Sequence, residues 1–134
     1  MPLIRIDVIE GRTDAELAAI GDAVHHALVT CFGVPARDRF QVITEHRPGR
    51  LVYDPGYLGV DRTDAIVVVQ VVFSMGRSAE LKQTFYALVA SGIAERTATR
   101  PQDVFITVVE NARGDWSFGN GVAQYLTLPK EEWR

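Results

Sequence analysis

Residues 3–9 alternate, with Ile4, Ile6 and Val8 on one side of an extended chain and Arg5, Asp7 and Ile9 on the other. A two-residue period predicts a strand with one covered face. The period then changes. Thr13 followed by Glu16 is a capping box, and Leu17, Ile20, Val24, Ala27 or Leu28, and Cys31 share one helical stripe. Gly33 is placed to end that helix, Pro35 lies just beyond it, and residues 39–45 read as a second strand. A turn-rich connection over 47–64 holds Pro48, Gly49, Pro55, Gly56 and Gly59. The order then recurs. Residues 65–73 are almost unbrokenly apolar, as in a central strand buried on both faces. Ser78 caps a helix carrying Leu81, Phe85, Leu88 or Val89, and Ile93, and Val104 to Val109 is the fourth strand. Beyond Glu110, the glycines at 114, 119 and 121 divide a tail expected to add short edge strands.

The two halves also match in detail. Gly11-Arg12-Thr13-Asp14-Ala15-Glu16-Leu17 returns as Gly76-Arg77-Ser78-Ala79-Glu80-Leu81, one residue shorter. The offset stays at 64 to 66 residues from Arg12 to Arg77, Glu16 to Glu80, Pro35 to Pro101 and Asp38 to Asp103. We read a tandem duplication within a single domain over 1–134, with repeats at about 1–46 and 65–111 and a tail from 112 to 134. Each repeat is strand–helix–strand with parallel strands and a right-handed crossover. Joining the two through their first strands gives an α+β fold, a four-stranded mixed sheet with both helices on one face. The other face stays apolar and uncovered, which predicts self-association.

Composition narrows the function. The chain has 134 residues, 47% hydrophobic and 23% charged, enough apolar material for one core. A net charge of −3 argues against nucleic acid or an anionic membrane as partner. The single cysteine, Cys31, excludes an internal disulfide and a multi-cysteine zinc site, and it falls on the apolar stripe as a core residue. No secretory leader opens the chain and no apolar run approaches the ~20 residues that span a bilayer, so the default compartment is the cytoplasm.

The candidate chemistry starts at Pro2. Removal of the initiator methionine leaves a secondary amine fixed in a ring at the head of a strand, although proline at that position is also simply tolerated there. A pseudo-twofold between the repeats sets the first and third strands antiparallel, so 73–77 ends beside Pro2. Asp38 opens the parallel neighbour at the same end, and Pro2, Asp38 and Arg77 converge. On spacing alone, Asp38 and Asp103 read as turn or cap residues. The twin position, near Ile66 or Val67, is an internal peptide without an amine, which predicts one live site and one dead one. Apolar surroundings and a neighbouring guanidinium lower an amine's pKa, so Pro2 suits general base or acid work near neutrality. Arg77 serves equally well as a carboxylate clamp or as a solvated helix-start arginine.

Several segments together resemble the tautomerase superfamily, and within it the malonate semialdehyde decarboxylase branch. They are Met1-Pro2-Leu3-Ile4, the Gly11–Leu17 helix start, Phe32-Gly33-Val34-Pro35-Ala36-Arg37-Asp38-Arg39-Phe40-Gln41, His46-Arg47-Pro48-Gly49 and Asp115-Trp116-Ser117-Phe118-Gly119. The resemblance implies a trimer with sites near subunit boundaries, no metal or organic cofactor, and the initial proline as catalytic acid or base. It assigns that role to Pro2, an assisting role to Asp38, carboxylate binding to Arg77, and an apolar wall to Trp116 and Phe118, which otherwise read as a seal on the sheet edge. Where the family carries a first arginine and a proline before Arg77, this chain has Met75 and Gly76. One cationic donor is thus missing, and Arg5, Arg37, Arg39 and Arg47 are the arginines available to replace it.

The remaining candidates are weaker. His25 and His26 lie mid-helix and read as surface, and His46 reads as structural in a turn. The expected function is proton transfer on small oxo acids, by keto–enol tautomerisation or by decarboxylation of a 3-oxo acid such as malonate semialdehyde. Water addition across an activated double bond is a sibling reaction. The rival is a non-catalytic oligomer that holds a small acid or a protein, with Pro2 still blocked by Met1.

Overall fold

The computed structural model describes residues 2–133, so the fate of Met1 lies outside the described residues. The elements run β1 (Leu3–Ile9), α1 (Asp14–Phe32), β2 (Phe40–His46), β3 (Val67–Ser74), α2 (Ala79–Arg96) and β4 (Val104–Asn111). The sheet order is β2-β1-β3-β4. β1 is parallel to β2 and antiparallel to β3, and β3 is parallel to β4. This is the expected α+β mixed sheet.

Capping chemistry sets the helix ends. Thr13 Oγ1 accepts from the Glu16 N–H at 3.2 Å, and Ser78 Oγ accepts from the Leu81 N–H at 3.2 Å. Gly33 ends α1 in the left-handed region, at φ 65°. Each helix is entered through a glycine with a φ that side chains avoid, 132° at Gly11 and 120° at Gly76. Both helices pack on one sheet face over a shared core, in which Ile4, Ile6, Val67, Val69, Phe85 and Ile93 are all fully buried.

The opposite face differs from the expectation for β3. Val67, Val69, Val71 and Phe73 are buried, whereas Val68, Gln70, Val72 and Ser74 are only half-buried. The register places Phe40 beside Leu3, Leu3 beside Val72 and Val72 beside Val109. Phe40 and Val42 on β2 are 48% and 40% exposed, and Phe105 and Val109 on β4 are 47% and 44% exposed. The unbroken apolar run of β3 therefore has one covered side and one that a single chain leaves open.

The tail corrects the edge-strand expectation. Among the described residues it carries no strand; it forms short turns and one helical turn at Gln124–Thr127, here α3. Side chains set these bends. Asp115 accepts from the Ala112 N–H at 2.8 Å, and Gln124 bridges the Phe118 N–H and the Gly119 carbonyl, each at 2.9 Å. Fixed this way, the backbone turns over the sheet end instead of extending its edge.

Candidate active site

Pro2 is buried at the head of β1. It lines a cavity of about 440 Å³ with Leu3, Phe40, Val72, Trp116 and Phe118. Trp116 and Phe118 stack with centroids 5.7 Å apart and planes 6° apart, and the Trp116 indole N–H donates to Asn111 Oδ1 at 2.8 Å. That bond ties the aromatic wall to the last residue of β4.

Asp38 sits in the turn before β2. It lines a neighbouring cavity of about 260 Å³ with Arg37, Phe40, Phe118, Tyr125 and Trp133. Arg77 faces a third, of about 210 Å³, which shares Tyr125 and Trp133 as walls. The three predicted residues thus reach the same end of the sheet but line three adjoining hollows, not one. Phe118 parts the first from the second, and Tyr125 parts the second from the third.

Local contacts fix Arg77. Its guanidinium lies 5.0 Å from the Phe73 ring centroid and 5.4 Å from that of Phe32. It also donates to the Ser74 carbonyl at 2.6 Å. The turn that carries it is clamped to β4 through Met75 N–H to Asn111 O at 2.8 Å and Gly76 N–H to Glu110 at 3.2 Å. Burial lowers the Arg77 pKa, partly countered by Glu110 and Tyr125. The Arg77 side chain is thus half-buried against two aromatic rings at the helix start.

Tyr125, missed in the sequence, is the central group. It is 9% exposed, meets Phe118 edge-on at 4.9 Å, and packs on Trp133 at 4.6 Å. Burial pushes its phenol well above the ordinary range, the Asp38 charge adds to the rise, and Arg77 opposes it. Its phenol is thus within electrostatic reach of both the Asp38 carboxylate and the Arg77 guanidinium. Only the aromatic-and-glycine texture of the tail pointed toward it, and that texture is not specific.

The twin end also carries a hollow, of about 240 Å³, lined by Glu10, Arg12, Glu16, Asp64 and Thr99. Arg12 donates to the Ala65 carbonyl and to Thr99 Oγ1, the latter at 3.2 Å. Asp103, 1% exposed, accepts from the Thr63 N–H at 2.7 Å and the Thr63 hydroxyl at 2.8 Å. Of the arginines available to replace the missing donor, Arg39 pairs with Asp22 at 2.8 Å. Arg5 and Arg47 are exposed away from these cavities, and Arg37 lines the cavity of Asp38. His46 is the end of β2 rather than a turn residue, and its Nε2 is 2.6 Å from Asp7. His26 is exposed; His25 is half-buried and reaches the Ala36 carbonyl at 2.9 Å. Cys31 packs beside the core, and burial pushes its thiol up.

Comparison with known proteins decides the family. A model of tautomerase enzymes matches residues 38–119, and a second model of the same description matches residues 2–61. The probable tautomerase YrdN of Bacillus subtilis (strain 168) is 40% identical over 127 residues, covering 95% of this chain and 98% of its own. This chain belongs to the tautomerase superfamily. Within the superfamily it lies near the malonate semialdehyde decarboxylase branch. A malonate semialdehyde decarboxylase with decarboxylase and hydratase activities is 42% identical and superposes with a TM-score of 0.88, covering 93% of this chain and 96% of that one. The FG41 malonate semialdehyde decarboxylase, solved inhibited by 3-bromopropiolate, is 43% identical with a TM-score of 0.88, covering 93% and 95%. Tautomerase- or decarboxylase-type chemistry is thus the class of this superfamily enzyme. Among the described residues no helix is long and apolar enough to cross a membrane.

Proposed function

We propose that Pro2, freed of Met1, is the catalytic acid or base of an enzyme that moves protons on small oxo acids. The observation that carries this reading is the buried Pro2 in a cavity walled by Trp116 and Phe118, with Asp38 in the adjoining hollow. In a tautomerisation, the free amine removes a proton alpha to the carbonyl and returns it at the conjugate position. In the decarboxylation of a 3-oxo acid, protonated Pro2 polarises the carbonyl while Arg77 orients the carboxylate. The C–C bond breaks, carbon dioxide leaves, and the enol that keeps the electron pair takes a proton on carbon to give the product. Asp38 holds water or the proline in position. Trp116 and Phe118 keep bulk water from the amine.

The expected intact mass is that of the chain less one methionine; a full-length mass overturns the reading, because the amine is then a peptide nitrogen. 3-Bromopropiolate, which inhibits the 43% identical decarboxylase, pairs a carboxylate with an electrophilic carbon. It is expected to leave a covalent adduct on the peptide that begins at Pro2. An adduct elsewhere would remove Pro2 as the nucleophilic amine.

The same reading takes the open sheet face as the contact surface of a homotrimer. Phe40, Val42, Phe105 and Val109 crowd that face with apolar area that monomers seldom leave in water. Sedimentation is expected to give three times the chain mass, and Phe105→Glu to lower it. A wild-type monomer would sink the assignment.

A further inference from the structure

The hollow that Arg77 faces holds a second guanidinium which the proposed chemistry has not used. Its walls include Phe32, Met75, Arg77, Arg113, Tyr125 and Trp133, and no aspartate or glutamate is among its described lining residues. Glu110 acts on Arg77 from outside the hollow, with its carboxylate already engaged by Lys82 and the Gly76 N–H. Two like charges facing one small cavity, with no acid inside it, form a field suited to an anion.

Arg113 is held toward this space. Its guanidinium lies 5.4 Å from the Trp133 ring centroid. Trp133 packs on Tyr125 at 4.6 Å and donates its indole N–H to the Leu128 carbonyl at 3.2 Å. The turn bearing Arg113 is closed by Asp115 on the Ala112 N–H at 2.8 Å. The stacked ring spares the side chain much of the entropy of ordering when a ligand arrives. Met75, on the rim of the same hollow and 62% exposed, brings no charge.

We propose that Arg113 is the second anion-holding residue of the site, so that a substrate carboxylate is gripped between Arg77 and Arg113, with Trp133 as the platform that positions the latter. This rests on the small-acid reading above and deepens it: the ligand class is a small carboxylic acid, and the charge that selects it lies on the Arg77 side of Tyr125. The charge missing at Met75 is then supplied from the tail, by a residue far away in sequence.

The test is a calorimetric titration of the full chain with malonate, and with neutral dimethyl malonate as control. Arg113→Met keeps an apolar stem on Trp133 and removes the charge. It is expected to weaken malonate binding on the order of tenfold or more, with Arg77→Met at least as damaging. Arg113→Lys should retain most of the affinity, and Trp133→Leu should weaken malonate binding with Arg113 still present. Dimethyl malonate should not distinguish wild type from Arg113→Met. The proposal is overturned if Arg113→Met binds malonate within about twofold of wild type. An equal loss for the diester, or no saturable binding by wild type, also overturns it. Anion binding is read here without turnover, so a retained Met1 or a missing Pro2 adduct would defeat the catalytic reading and leave this result standing.

Discussion

Pro2→Ala is expected to lower kcat by roughly 10²–10⁴-fold on both phenylpyruvate-type enols and malonate semialdehyde, the range for loss of a positioned acid–base group. Alanine at that place still has a terminal amine, but it lacks the ring that fixes the nitrogen against Leu3 and the aromatic wall. KM should change much less, because the substitution leaves Arg77, the proposed carboxylate clamp, untouched. Circular dichroism and urea midpoints should stay near wild type, since the position precedes the first ladder residue of β1. Equal turnover in the two proteins would take Pro2 out of the mechanism. No turnover by wild type on either substrate would instead favour the non-catalytic binder.

The architecture was legible because local and global signals agreed. Period-two and period-3.6 patterns, hydroxyl caps at Thr13 and Ser78, and the glycines before each helix all pointed to the same two β-α-β units. The site was less legible. Pro2, Asp38 and Arg77 were placed at one end of the sheet by symmetry, and they lie there. Symmetry of the strands says nothing of the tail, though, and it is the tail that divides the space into three hollows. Residues 112–133 bend through side-chain bonds from Asp115 and Gln124 to nearby backbone, and such bonds leave no period in the sequence. Tyr125, Trp133 and Arg113 were missed for that reason. The edge strands were wrongly expected for the same one: glycines mark turns in either case, and only the asparagine, aspartate and glutamine partners decide what lies between them.

The repeat also sets two aspartates in corresponding positions but different surroundings, and this yields the largest expected effect on stability. Asp103 is buried and accepts two hydrogen bonds from Thr63, through the N–H and the hydroxyl, with Arg100 at 3.4 Å. Those bonds pin the end of the 47–64 connection to the turn that opens β4. Asp103→Ala strands the Thr63 N–H and hydroxyl and removes the partner of Arg100, so it should cost roughly 3 kcal/mol. Asp103→Asn should cost less: its amide oxygen still accepts from the Thr63 N–H, and its amide nitrogen can donate to the Thr63 hydroxyl oxygen. The order Ala worse than Asn worse than wild type, read from urea midpoints at constant slope, is the expected result. Asp38 faces a hollow shared with Tyr125, so Asp38→Asn should lower kcat/KM and move the midpoint by far less than Asp103→Ala does. If Asp103→Ala unfolded at the wild-type midpoint, the carboxylate would not be holding the connection. The assignment of one aspartate to the frame and its counterpart to the chemistry would then lose its basis.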